Sequence, residues 1–143
     1  MPIDANKAVA RRHFEELWLK GDLAVADEIY SPGAVGHCRD LPDQTGYPES
    51  EKAEVQRSNA AFPDTNVTID FQLAEGDLVV TRWTFEGTHT GPGYGEPTGR
   101  RVRATGAHVH RIVDEKIVEI WAHPDNLTFM TQLGMIELPG GSG

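Results

Sequence analysis

Apolar residues along the first twenty positions recur at helical intervals. Ala8, Val9, Phe14, Leu17 and Trp18 form a stripe within a charged segment from Ala5 to Lys20, which predicts an amphipathic helix with Asp4 as N-cap and an end near Gly21. A second short helix is predicted in "DLAVADEIY", capped by Asp22 and stopped by "SPG", with a short strand over residues 34–38. From Cys38 a loop rich in Pro, Gly and Asp, long enough to act as a lid, leads to a helix from about Glu49 to Ala61, which Pro63 stops.

Beyond Pro63 the period changes from helical to alternating. "NVTIDFQLAEGDLVVTRWTFEGTHT" predicts two strands joined through "EGD", followed by a strand from about Arg100 to Val113 and another from Lys116 to Ala122 joined at "VDEK". A last short helix is predicted in "NLTFMTQLG". Helices first and a strand meander afterwards imply an α+β domain whose helices cover one face of an antiparallel sheet. Alternation puts Val79, Thr81, Trp83 and Phe85 on the covered face, with Arg82, Thr84 and Glu86 opposite. By the same rule Val102, Ala104, Gly106, His108, His110 and Ile112 are covered, while Arg101, Arg103, Thr105 and Arg111 face away.

Length and charge narrow the function classes. At 143 residues with 38% hydrophobic content the chain suits one domain over 1–138, and the final "PGGSG", 139–143, is set aside as a flexible tail or non-native remnant. A formal net charge of -9 repels a phosphate backbone and an anionic membrane surface, so neither nucleic acid nor a membrane is an expected partner. The lone cysteine, Cys38, cannot close an internal disulfide, and the N-terminus has no apolar signal core, which implies a cytoplasmic setting. No run reaches the roughly 20 apolar residues needed to cross a bilayer.

Taken in order, "NKAVARRHFEELWLKGDLAVADEIYSP", "AAFPDTNVTID", "GTHTG" with "PTGRRV", and "HRIVDEKIVEIW" with "TQLG" resemble the SnoaL-like polyketide cyclase family, within the larger nuclear transport factor 2-like group. The resemblance covers nearly the whole chain and implies a cone-shaped barrel of N-terminal helices on a curved antiparallel sheet, enclosing a cavity for a small, often carbonyl-bearing molecule. It also implies an acid/base pair formed by a histidine on the third long strand and an aspartate on the next. The histidine position matches His108; the aspartate position falls at Ala122, whose methyl group moves no proton. If "VDEK" is a three-residue loop with a bulge, His108 faces Ala122 and His110 faces Ile120; a plain two-residue loop puts His108 opposite Trp121.

The candidate chemistry follows from these placements. His108 is expected as general acid or base, with His110 and Asp125 assisting, although an Asp before a helix such as "NLTFM" is also a natural N-cap. His37, Thr81, Trp83, Phe85, Ile120 and Ala122 are the expected substrate-lining residues. The His-x-His spacing could present two imidazoles to a metal, with His37, His89, His123 or Asp125 completing a set, but no compact ligand motif accompanies it, and a polar pocket without metal or cofactor is expected. His89 and Tyr94 are placed at a loop rim, and His123 outward. Trp121, if outward, suggests that the open sheet face is covered in a homodimer or higher homo-oligomer. A small-molecule enzyme performing cyclisation, isomerisation or hydration is therefore expected, with a binding protein of the same fold as the alternative.

Overall fold

The computed structural model describes residues 3–38 and 41–140; Arg39 and Asp40 in the predicted loop and 141–143 in the predicted tail lie outside the described residues. The elements are α1 (Ile3–Arg12) continued by a π-helical segment (His13–Leu19), α2 (Ala24–Ile29), β1 (Tyr30–His37), α3 (Glu49–Ala61), β2 (Asn66–Glu75), β3 (Leu78–Thr88), β4 (Arg101–Val113), β5 (Lys116–Pro124) and α4 (Asn126–Gln132).

The predicted first helix therefore contains a change of hydrogen bonding at His13, from the α to the wider π pattern. Such π turns are rare and often mark functional sites. Asp4 lies inside the first turn of α1 rather than before it, and α2 begins after Leu23 with no side-chain cap, so neither predicted cap holds. The strand after α2 begins at Tyr30, earlier than expected. Pro32 and Gly33 make poor ladder residues, and the register shift between Tyr30 and Val35 accommodates them.

The five strands form one sheet in the order β1-β5-β4-β3-β2. The sheet is mixed rather than wholly antiparallel, because β1 runs parallel to β5. A parallel neighbour needs a long connection, and the chain leaves β1 through the loop and α3 before returning. Asp114 and Glu115 form a two-residue turn with φ of 51° and 62°, the geometry of a type I′ hairpin. A register shift between Arg111 and Ile112 then leaves His108 paired with Ala122 and His110 with Ile120. The turn is thus the shorter of the two weighed, while the register is the one expected of the bulge.

The face assignments of β3 and β4 hold. Val79, Thr81, Val102, His110 and Ile112 are buried against the helices, while Arg101 and Arg103 are exposed. One core cluster joins Val9, Leu17, Val25 and Ile29 to Val79, Ile112, Ile117 and Ile120; a second joins Phe14 to Phe62, Val67, Phe85, Val102 and Leu133. Among the described residues no helix is long and apolar enough to cross a membrane.

Candidate active site

Three histidine rings meet between the two core clusters. His108 and His110 project from β4, and His13 reaches them from the π-helical segment, with ring centroids 5.0 Å apart for His13–His110, 5.4 Å for His13–His108 and 5.7 Å for His108–His110. Phe14 packs against both strand histidines. The site is therefore made by a helix and a strand together.

Each ring has a distinct hydrogen-bonding state. Trp83 Nε1 donates to His108 Nδ1 at 2.8 Å, and because an indole N–H can only donate, that nitrogen holds a lone pair and Nε2 carries the proton. Gly106 makes this bond possible: it pairs with Trp83 across β3 and β4, and a Cβ there would overlap the indole ring. Burial, with His123 second, pushes His108 down to about 4, so the ring is neutral at pH 7. His13 Nδ1 lies 2.6 Å from Tyr30 Oη. Burial raises the Tyr30 phenol well above its ordinary value, and the hydroxyl has no other acceptor among the described residues, so Tyr30 donates and His13 also keeps its proton on Nε2. His110 is fully buried, and among the described residues neither of its ring nitrogens has a partner. Burial and then the neighbouring histidines hold His13 and His110 well below the ordinary imidazole range.

A carboxyl group stands behind His13. Glu51, on the inner face of α3, accepts from Trp18 Nε1 at 3.0 Å and from Gln44 Nε2 at 3.2 Å, and its Oε2 lies 4.0 Å from His13 Nδ1. Burial raises its pKa, against the lowering effect of those two donors. Tyr47 stacks on Tyr30 at 4.9 Å and closes this side.

The expected site residues are distributed unevenly around this cluster. Trp83 holds His108, and Ala122 is its cross-strand partner. Thr81 is fully buried and accepts from Gln72, Phe85 packs on Phe62, and Ile120 belongs to the first core cluster. His37 lies on the other face of the sheet, stacked on Trp121 and bonded to Asp43 at 3.0 Å and Glu119 at 2.8 Å; both carboxylates raise its pKa. It does not join the three histidines. Asp125 caps α4, accepting from the Thr128 amide at 3.0 Å and hydroxyl at 2.7 Å, which lowers its pKa. His89, expected at a rim, is buried and bonds Thr98 and the Gly93 carbonyl, pinning its loop; His123 is exposed as expected.

Two surface concavities, of ≈ 540 Å³ beside Tyr30 and Pro48 and ≈ 990 Å³ beside Asn6 and Gly76, are not lined by His108 or His110. The histidine cluster lies instead between the sheet and the helices. Among the described residues no group of three or more His, Cys, Asp and Glu side chains is arranged to hold a metal ion.

His13 and Glu51 were absent from the sequence-derived set, yet both carried a signal. His13 stands midway between Val9 and Leu17 at four-residue steps, and Glu51 stands four before Val55, so each polar residue occupies a covered helical position.

An α+β fold of four α-helices on a curved five-stranded sheet, with titratable groups buried between the layers, defines a nuclear transport factor 2-like domain. The SnoaL-like polyketide cyclase profile matches residues 8–133, and the chain belongs to that family. Among solved structures it is similar to AclR of Streptomyces galilaeus, a proposed hydroxylase, at 27% identity and TM-score 0.82, covering 94% of this chain and 99% of that one. A proposed SnoaL-like polyketide cyclase from Jannaschia sp. CCS1 shows 25% identity and TM-score 0.82, covering 92% and 93%. IdmH of Streptomyces antibioticus, a proposed polyketide cyclase, shows 34% identity and TM-score 0.75, covering 90% and 98%. The comparison with curated proteins returns no match.

Proposed function

We propose that this chain is a cofactor-independent enzyme that moves a proton on an enolisable, carbonyl-bearing small molecule, with polyketide-like substrates suggested by the family and by IdmH. His108 supports the carbonyl. Its Nδ1 is occupied by Trp83, so Nε2–H is a fixed donor that polarises a carbonyl oxygen and stabilises the enolate as charge develops. A neutral imidazole suits this task, because it donates a hydrogen bond without surrendering its proton. His110 supplies the free lone pair that accepts a proton from the adjacent carbon.

The observation that carries this reading is the pair of sealed, unpartnered nitrogens on His110. An unsatisfied buried polar group costs about 1–3 kcal/mol, and a bound carbonyl compound would satisfy it. The test follows deuterium uptake at the α-carbons of 2-tetralone in D2O by proton NMR. Wild-type protein should accelerate the exchange, and His108→Gln should slow it by about 100-fold or more with the fold intact. Unchanged exchange in that variant removes His108 from the mechanism. The second reading, a binding protein, is favoured by Ala122 in place of a carboxylate; saturable tetralone binding without exchange would establish it.

The same reading includes a reducing, cytoplasmic setting, supported by the free Cys38 thiol, and a homodimer through the outer sheet face. There Phe71 and Leu73 are 52% and 62% exposed on strand β2. Sedimentation should give a dimer that Leu73→Glu converts to monomer; a wild-type monomer at high concentration refutes it.

A further inference from the structure

Glu51 is the only carboxyl group in the buried set among the described residues, at 7% exposure. Its oxygens are held from both sides, by Trp18 and by Gln44, and the remaining approach is to His13, 4.0 Å away and itself 2% exposed. His13 in turn touches both strand histidines. A continuous run of side chains thus leads from a carboxyl group on α3 to the place where His108 meets Ala122. A glutamine at 51 could also offer an acceptor to Trp18, so bracing the fold does not by itself demand an acid there. Burying a carboxyl is costly, and interiors that do so beside an imidazole are commonly proton-transfer sites.

We propose that Glu51 and His13 work as one carboxyl–imidazole pair, supplied by the helical layer, in place of the strand carboxylate that Ala122 does not provide. Its role in turnover rests on the proposed enolisation; the pairing itself does not. Tyr30 donates to His13 Nδ1, which leaves Nε2 with the ring proton. When Nε2 delivers that proton to a substrate oxygen, Nδ1 takes the proton of the Glu51 carboxyl group, whose Oε2 lies 4.0 Å away. The substrate gains one proton and Glu51 becomes the carboxylate; collapse of the enol runs the same path backward. His13 is then the group that meets substrate, and Glu51 is a positioning residue that holds and returns the proton.

The experiment uses the full chain, labelled with ¹³C and ¹⁵N at histidine and with ¹³C at the glutamate carboxyl carbon. In wild-type protein the His13 ring and the Glu51 carboxyl signals should share an inflection as pH is varied. Separate inflections overturn the pair, and this measurement needs no variant to fold. Glu51→Gln should shift the His13 titration by about one pH unit, a tenfold change in proton affinity, and Glu51→Asp should restore it in part. Tetralone exchange should fall about tenfold or more in Glu51→Gln and recover in Glu51→Asp; a brace alone would not require that recovery. Exchange present but indifferent to Glu51→Gln, with His13 titrating as before, overturns the pair and leaves the His108 reading standing. A shared inflection with no exchange in wild-type protein supports the pair and rejects the enolisation reading.

Discussion

Trp83 decides which nitrogen of His108 bears the proton, and Gly106 decides whether Trp83 can reach it. The donated bond stabilises the neutral ring, so losing it must raise the histidine's proton affinity. Trp83→Phe removes the donor, and Gly106→Ala displaces the indole by steric overlap. In both variants the pKa of His108 should rise above its value of about 4, with burial still holding it below the ordinary range, read from its ring signals in an NMR titration. A proton that stays on Nε2 in Trp83→Phe, read from the ring nitrogen shifts, would mean that the indole bond does not set the tautomer. At this scale alternation put His108 and His110 on the covered face and helical spacing marks His13 as a covered position, but nothing in the sequence alone brought His13 against them.

Elements were legible where their periods were uniform. The limits of α3 fall where the charged, proline-stopped run predicts, and the long strands begin and end within a residue or two of their expected positions. Departures occur where a local choice depends on neighbours. The turn in "VDEK" holds two non-glycine residues at positive φ, an arrangement that costs backbone energy and is sustained by the strands on either side. The β1 strand takes Tyr30 from the end of α2 because β5 is available as a parallel neighbour. The π-helical segment is a third case: its wider turns carry His13, Phe14 and Leu17 inward together, between a sheet and two other helices.

The whole molecule holds three neutral imidazoles between its layers, His13 and His110 buried and His108 half-buried, and this sets its response to acid. A buried histidine with a depressed pKa binds fewer protons folded than unfolded, so stability falls as pH drops from about 6.5 toward the folded value. For His108, moving from 6.5 to about 4 amounts to roughly 3 kcal/mol, and His13 and His110 act in the same direction. Glu51 and His37 oppose this, because their raised pKa values favour the folded state at lower pH; His37 is solvent-screened on the outer face. Urea unfolding should therefore show decreasing stability between pH 6.5 and 4.5. A free energy that stays level or rises over that range would show that the three rings are not held neutral.

The chain's alternation and periodicity determined by themselves the α+β class and the covered faces, because these depend on residue order along single elements, and the resemblance to the SnoaL-like family added that Ala122 stands where an aspartate is expected opposite His108. Only the tertiary structure decided what surrounds that histidine. The tautomer set by Trp83, the orphaned His110 and the approach of Glu51 to His13 depend on side chains separated by tens of residues, whose contacts arise when the helices close over the sheet.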